Sequence, residues 1–217
     1  MLRRLSCGNM YTVVEGSTIS TMRTFAMTLL SFDKFLLDGA NVGLIGMGKL
    51  GRLHAKFRGK LYPSINSIHC YSATADSKDC EQYPKVKKVD TLQELLEKSN
   101  VLVTNSRAQQ PYISPSDLKK DTSLIVNISL MDFSLDVMTG SDHLIVDDWF
   151  QNIQAKKVFR EGVEKGLITR DKVEEFGEAL FGVTQHKGRV FVNPLGMGME
   201  DIYVASQIKK HILGAVP

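Results

Sequence analysis

The stretch NVGLIGMGKLGRLHAK, Asn41 to Lys56, runs from an apolar strand through a glycine turn directly into a helix. Val42, Leu44 and Ile45 supply the strand, and Leu50, Leu53 and Phe57 give the following segment an apolar helical face. Between them stands Gly46-x-Gly48-x-x-Gly51. In this spacing the first glycine permits a tight turn, the second lets backbone amides approach a pyrophosphate, and the third lets helix and strand pack closely. The anion then rests on the positive end of the helix. Glycines at these intervals also occur in ordinary turns; the flanking strand and helix are what raise the reading to a nucleotide diphosphate.

On the amino-terminal side, Ser17 to about Leu37 repeats Ile19, Met22, Ala26, Leu29 and Leu30 at helical spacing, with Phe25, Leu29, Phe32 and Leu36 as a second stripe, after Ser/Thr residues suited to capping. Strands are expected at Ser67 to Tyr71, Val86 to Val89, Val101 to Ser106, Leu124 to Ser129 and His143 to Asp148. Helical stretches separate several of them: Lys49 to about Gly59, the segment capped by Thr91, and Leu135 to Thr139. This alternation predicts an α/β fold, a doubly wound parallel sheet with ligand sites at the strands' carboxyl ends. Farther on, Thr169 is expected to cap a helix carrying Val173, Phe176 and Leu180. RVFVNP reads as a strand, and GMGMEDIYVASQIKKHIL as a helix with Ile202, Ala205, Ile208 and Ile212 on one face.

With 217 residues, 43% of them hydrophobic, the chain can bury one good core. A net charge of +3, from basic residues scattered among acidic ones, gives no electrostatic support for nucleic-acid binding. Cys7, Cys70 and Cys80 lack metal-ligand spacing and suit a reducing compartment, so no metal is expected and the cytoplasm is the default location. No apolar run has the length to span a bilayer, and MLRRLSCGNM lacks the core of a secretory signal.

In such a sheet the informative polar residues lie just past the strand ends: Thr104-Asn105-Ser106, Asn127-Ile128-Ser129 followed by Asp132, and Asp147-Asp148. Asp132 is the candidate acid or base. Because it precedes FSLDVM, it is equally a candidate helix N-cap. Asp147 and Asp148 suit capping and orienting the next helix. Arg23, among small and apolar residues before the glycine loop, has the planar fork to hold a carboxylate or phosphate, against the plain alternative of a solvated surface arginine. Where this unit ordinarily places an acid to read the adenosine ribose, HCYSATADSK puts Ser72. Ser72, Thr74 and Lys78 suit a 2′-phosphate, which leaves NAD and NADP both open.

In order along the chain these pieces resemble the ornithine cyclodeaminase and mu-crystallin family, starting at about Val13. EGSTISTMRT (Glu15 to Thr24) is similar to the helix before its nucleotide unit, GLIGMGKLG to its nucleotide loop, and GMGMEDI (Gly196 to Ile202) to its final segment. NISLMDF, VDDWFQ and FVNPLGMGMEDI most resemble the branch whose members release 2,3-diaminopropionate and 2-oxoglutarate from N-(2-amino-2-carboxyethyl)-glutamate, for siderophores and peptide antibiotics. The resemblance implies NAD as cofactor, with NADP as the alternative, and an amino-acid substrate oxidised at its α-carbon to an imine that water then splits. It makes Arg23 the clamp for a substrate carboxylate and Asp132 the acid/base. It places Gly46, Met47, Gly48, Lys49, Leu50, Gly51, Ser72, Thr104, Asn127, Ile128 and Ser129 along the dinucleotide, and Asn193 near the nicotinamide or substrate.

The family carries a long segment before the EGSTIS helix that builds much of a second domain, through which members form homodimers. The resemblance therefore divides the chain into a remnant of that domain with a linking helix (1–38), a dinucleotide-binding domain (39–188), and a strand and helix returning to the second domain (189–217). Two further expectations follow. Apolar surface should be exposed on the Ser17 to Leu37 and Ile202 to Ile212 helices. The function is an amino-acid dehydrogenase, with an ornithine cyclodeaminase or a dinucleotide-binding protein without catalysis as alternatives.

Overall fold

A computed structural model describes residues 2–4, 10–12, 15–74, 81–155, 157–182 and 185–213. Cys7, Cys80, Lys78 and Val13 lie outside them. Two short strands, β1 (Leu2–Arg4) and β2 (Met10–Thr12), pair antiparallel. The helix expected from Ser17 spans Gly16–Phe35 and is α1. Its cap is not a hydroxyl: the Glu15 carboxylate accepts from the amides of Ser17 at 2.8 Å and Thr18 at 2.7 Å. Two oxygens thus satisfy two of the free amides of the first turn.

The glycine stretch folds as expected into β3 (Asn41–Ile45) and α2 (Lys49–Leu61). There follow β4 (Ser67–Tyr71), β5 (Val86–Lys88), α3 (Leu92–Lys98), β6 (Val101–Thr104), β7 (Leu124–Asn127), α4 (Leu135–Thr139) and β8 (His143–Val146). Thr91 caps α3 as expected, its hydroxyl accepting from Glu94 N at 3.1 Å. Next come α5 (Trp149–Gln154), α6 (Val158–Glu164), β9 (Val173–Glu175), α7 (Phe176–Phe181), β10 (Val190–Asn193) and α8 (Gly198–Leu213). Eight strands make one wholly parallel sheet in the order β5-β4-β3-β6-β7-β10-β8-β9. The order reverses at β3 and β6, the switch point of a doubly wound sheet.

Side chains alternate between two buried layers. Val42, Leu44, Val101, Val103, Leu124, Val126 and Ile145 pack with Met27, Phe32 and Phe35 of α1, Ala55 of α2 and Phe176 of α7. Ile45, Leu102, Ile125 and Phe191 pack on the opposite face with Leu95 and Leu96 of α3, Val137 of α4 and Phe159 of α6. Both faces being covered explains why the strands read as continuous apolar runs.

Two expectations need correction. The single helix after Thr169 is a 3-10 turn (Arg170–Lys172), then β9, then α7. Glu175 and Glu178 form a capping box that starts the helix only at Phe176, so Val173 pairs beside Leu144 at the sheet edge. The strand in 189–217 does not leave for a second domain. Val190, Phe191 and Val192 are apolar on both faces, and β10 slots between β7 and β8 inside the eight-stranded sheet. Beyond it α8 packs on α1, and Met22, Leu30, Ile202 and Tyr203 on this pair are exposed, as expected. Among the described residues no helix is long and apolar enough to cross a membrane.

Candidate active site

Gly46 leaves β3 with φ +90°, a conformation that L side chains rarely adopt. A Cβ there would lie 2.7 Å from the Asn105 carbonyl, so the turn is tucked against the end of β6. A Cβ on Gly51 would collide with the Gly46 carbonyl oxygen, which is the close helix–strand contact that the motif predicts. Gly48 differs: a Cβ would meet nothing within 4 Å. It is the N-cap of α2, gives no side-chain cap, and borders a cavity of about 680 Å³. Met47, Ser72, Thr74, Asn105 and Arg107 share that wall. The Asn105 amide is buried with neither Nδ2 nor Oδ1 bonded within the protein. A glycine cradle, an uncapped helix N-terminus and an orphaned amide on one cavity fit a dinucleotide. Lys49, Leu50 and Gly51 form the first turn of α2 behind the wall, and the Lys49 ammonium donates to Ser17 Oγ at 3.1 Å.

On the same cavity stand Ser106 and Tyr112, and both hydroxyls donate to Oδ1 of Asp132, Ser106 at 2.6 Å. Asp132 is fully buried. It caps nothing; Ser134 occupies the N-cap of α4, so the capping alternative falls. Leu130, with φ +66°, bends the chain between Ser129 and Asp132. Ser129 Oγ reaches both Asp132 Oδ2 and Thr104 Oγ1, the latter at 2.8 Å. Burial pushes the Asp132 carboxyl above its usual range, while donated bonds from Ser106, Tyr112 and Thr104 pull the other way.

From Thr104 the bonds continue across the sheet. Thr104 donates to Asn127 Oδ1 at 3.1 Å, Asn127 Nδ2 to Asn193 Oδ1 at 2.8 Å, Asn193 Nδ2 to Asn152 Oδ1 at 3.0 Å, and Asn152 Nδ2 to Asp147 Oδ1 at 2.8 Å. Asp147 also accepts from the amides of Asp148 and Gly196, so it is an acceptor on both oxygens and fixes the direction of each amide in turn. Followed back, Thr104 gives its one proton to Asn127, and Ser129 must give its own to Thr104. Ser129 Oγ also contacts Asp132 Oδ2, which ties the chain of bonds to the carboxyl.

Arg23 lies elsewhere, outside the cavity wall. Its guanidinium pairs with Asp201 at 3.3 Å and Glu200 at 3.8 Å, and its side chain is only 16% exposed, which rules out the solvated-surface reading. It packs so closely on Gly196 that a Cβ there would collide with Nη1. Burial pushes the Glu200 carboxyl up while Arg23 pulls it down. Because the Gly196 amide bonds to Asp147, the polar chain joins the surroundings of Arg23 to Asp132. Asn193 is thus a central link of this chain, not a residue on the cavity wall, and Thr104, Asn127, Ile128 and Ser129 likewise stand behind it.

Three participants escaped sequence reading. Tyr112 lies in a Pro-flanked loop without periodicity, yet its amide and that of Ile113 bond to the Asp132 carbonyl at 3.0 and 2.9 Å. Asn152 sits inside α5, where an amide looks like a surface residue, and Arg107 is one exposed cation among many. Asp148 caps α5, accepting from Gln151 N at 2.7 Å, and Asp147 holds Asn152, as the capping-and-orienting reading expected.

The fold and site together define a doubly wound α/β chain with a glycine cradle at the switch point of its sheet. No protein-family model matches it. It is similar to the N-((2S)-2-amino-2-carboxyethyl)-L-glutamate dehydrogenase of Staphylococcus aureus (strain NCTC 8325 / PS 47), with 28% identity over 208 residues, 88% of this chain and 60% of that enzyme. The chain therefore spans about three-fifths of that relative's length. Its fold matches the Thermococcus litoralis Δ1-pyrroline-2-carboxylate reductase, solved with NADH and L-proline, at TM-score 0.77 and 18% identity, covering 95% of this chain and 68% of that one. A probable ornithine cyclodeaminase from Bordetella pertussis gives TM-score 0.77 at 17% identity, over 96% and 71% of the two chains.

Proposed function

We propose that this chain is the dinucleotide-binding and acid/base part of an NAD-dependent amino-acid dehydrogenase that splits N-(2-amino-2-carboxyethyl)-L-glutamate into 2,3-diaminopropionate and 2-oxoglutarate. The observation that carries the reading is one cavity bordered at one side by the Gly46–Gly48 cradle and at another by Ser106 and Tyr112, the two donors to Asp132. The S. aureus relative supplies the substrate, and the NADH seen in the T. litoralis enzyme supports the cofactor. Gly46, Gly48 and Asn105 would hold the pyrophosphate region, and Ser72 and Thr74 the adenosine ribose.

A bound nicotinamide supplies the hydride acceptor. The protein's share is proton handling. Splitting a C=N bond needs water to lose a proton and the departing nitrogen to gain one, and Asp132 can do both through Oδ1 or Oδ2. Its burial suits that work, because a carboxyl pushed upward holds a proton nearer neutrality. Arg23 would take a substrate carboxylate by exchanging Asp201 or Glu200 for it.

The test is to supply the purified chain with NAD and the glutamate conjugate, following NADH absorbance and identifying both products by mass spectrometry. NADH together with 2-oxoglutarate is the expected outcome. Proline formed from ornithine without net NADH would instead assign a cyclodeaminase. Tight NAD binding with no turnover of either compound would leave a binding protein, the reading favoured by the Arg23 ion pairs.

A further inference from the structure

Away from the cavity, toward the amino end of β8, three side chains distant in sequence converge. His143 opens β8, Glu174 lies in the edge strand β9, and His186 precedes β10. His143 Nδ1 stands 3.4 Å from Glu174 Oε1, and His186 Nε2 stands 3.0 Å from Glu174 Oε2. One ligand atom from each residue falls within 4.8 Å of the others. Metal–ligand bonds of about 2.0–2.2 Å in a tetrahedral site put neighbouring ligand atoms about 3.3 Å apart. The two separations, each to a different oxygen of the Glu174 carboxylate, lie on either side of that value.

His143 is also held from its far side. Its Nε2 lies 3.1 Å from the Lys187 carbonyl, which can only accept, so the ring proton sits on Nε2. Nδ1 is then the ring atom that faces a carboxylate oxygen. A metal ion seated between them would be bound by both. An outer backbone carbonyl holding the far nitrogen is also how metal-bound imidazoles are oriented. His186 faces the second carboxylate oxygen, its side chain is 3% exposed, and the Phe35 ring edge holds it at 5.0 Å between centroids. The two imidazole rings meet edge to face with centroids 4.7 Å apart, so both present nitrogens to the same carboxylate. His143 and Glu174 also border a cavity of about 340 Å³ with Asp142, Asp171 and Lys172 on its wall, leaving room for a water as fourth ligand.

We infer that His143, Glu174 and His186 form a structural site for a divalent transition-metal ion, Zn²⁺ by its nitrogen and oxygen donors. It ties the edge strand β9 to β8 and to the segment entering β10. No local pattern announces it, because the three residues share no fixed spacing in the chain.

The experiment uses the chelator-treated full chain, titrated with Zn²⁺ by calorimetry and with Co²⁺ by visible absorption. One equivalent is expected, with the intense band of four-coordinate cobalt and a Zn²⁺-dependent rise in melting temperature. Glu174→Gln keeps the shape of the site. It should weaken binding more than about 100-fold, beyond the 10–100-fold typical of lost outer support, while leaving the circular dichroism unchanged. His143→Gln serves as the second variant should the first misfold. Absence of saturable binding, or binding that both variants leave intact, overturns the site. A melting temperature that follows pH alone, with Zn²⁺ adding nothing, shows protons bridging the carboxylate and overturns it equally.

Discussion

Among single residues, Asp132 carries the sharpest consequence. Asparagine at 132 keeps the shape of the carboxyl: Oδ1 still accepts from Ser106 and Tyr112, with the amide nitrogen facing Ser129. Asp132→Asn should therefore melt no lower than the parent while its turnover falls about 10²- to 10⁴-fold. The pH dependence follows with its sign. The folded carboxyl is raised above its ordinary 3.8, so between that value and the folded one the native state binds more protons than the unfolded chain, and stability falls as pH rises. Melting curves from about pH 4 upward should show this slope in the parent and lose it in the variant. The glycines separate two roles in the same loop. Gly51→Ala drives a Cβ into the Gly46 carbonyl and should destabilise the fold, whereas Gly48→Val projects into open space and should weaken NAD binding with the melting temperature held. The glycine loop and Asp132 were legible because each stands at a fixed offset from an apolar strand. Tyr112 and Asn152 were not, since their roles come from pairing across loops and strand ends that no local pattern encodes.

Between elements, the α1–α2 contact holds a cost. Arg58 of α2 is fully buried, gives Nε to His54 Nδ1 at 3.2 Å, and has neither terminal nitrogen bonded. Burial pulls its guanidinium down to about 9, so it remains charged at neutral pH. The Phe32 ring, 3.5 Å from Cζ, returns about 2 kcal/mol at best, less than the several kcal/mol of desolvation. Arg58→Met should stabilise the chain by about 1–4 kcal/mol, read from urea unfolding. The strand-end chain predicts the opposite sign: Asn152→Ala orphans the Asn193 amide and should cost about 1–3 kcal/mol by the same measurement. Boundaries of the repeating strand–helix units were readable from periodicity. The segment after Thr169 was not, because apolar residues three and four apart describe a strand followed by a capped helix as well as they describe one helix.

For the molecule as a whole, exposed Met22, Ile202 and Tyr203 on the α1–α8 pair form a surface suited to a second copy. Sedimentation should show concentration-dependent dimers that Ile202→Lys with Tyr203→Lys abolishes. The doubly wound architecture was legible from strand–helix alternation alone. The order of strands was not, since nothing local in RVFVNP says which neighbours it will find. That order carries a consequence in time. β10 is synthesised after both β7 and β8, the strands it separates. A nascent chain that has made β8 but not β10 has two unpaired edges facing a gap, and closure must wait for pairings of long sequence separation. Until β10 is in place, the five strands on one side of it and the two on the other stay unjoined, and the amide chain through Asn193 is open. The polar chain behind the cavity is therefore completed only by the late arrival of a central strand.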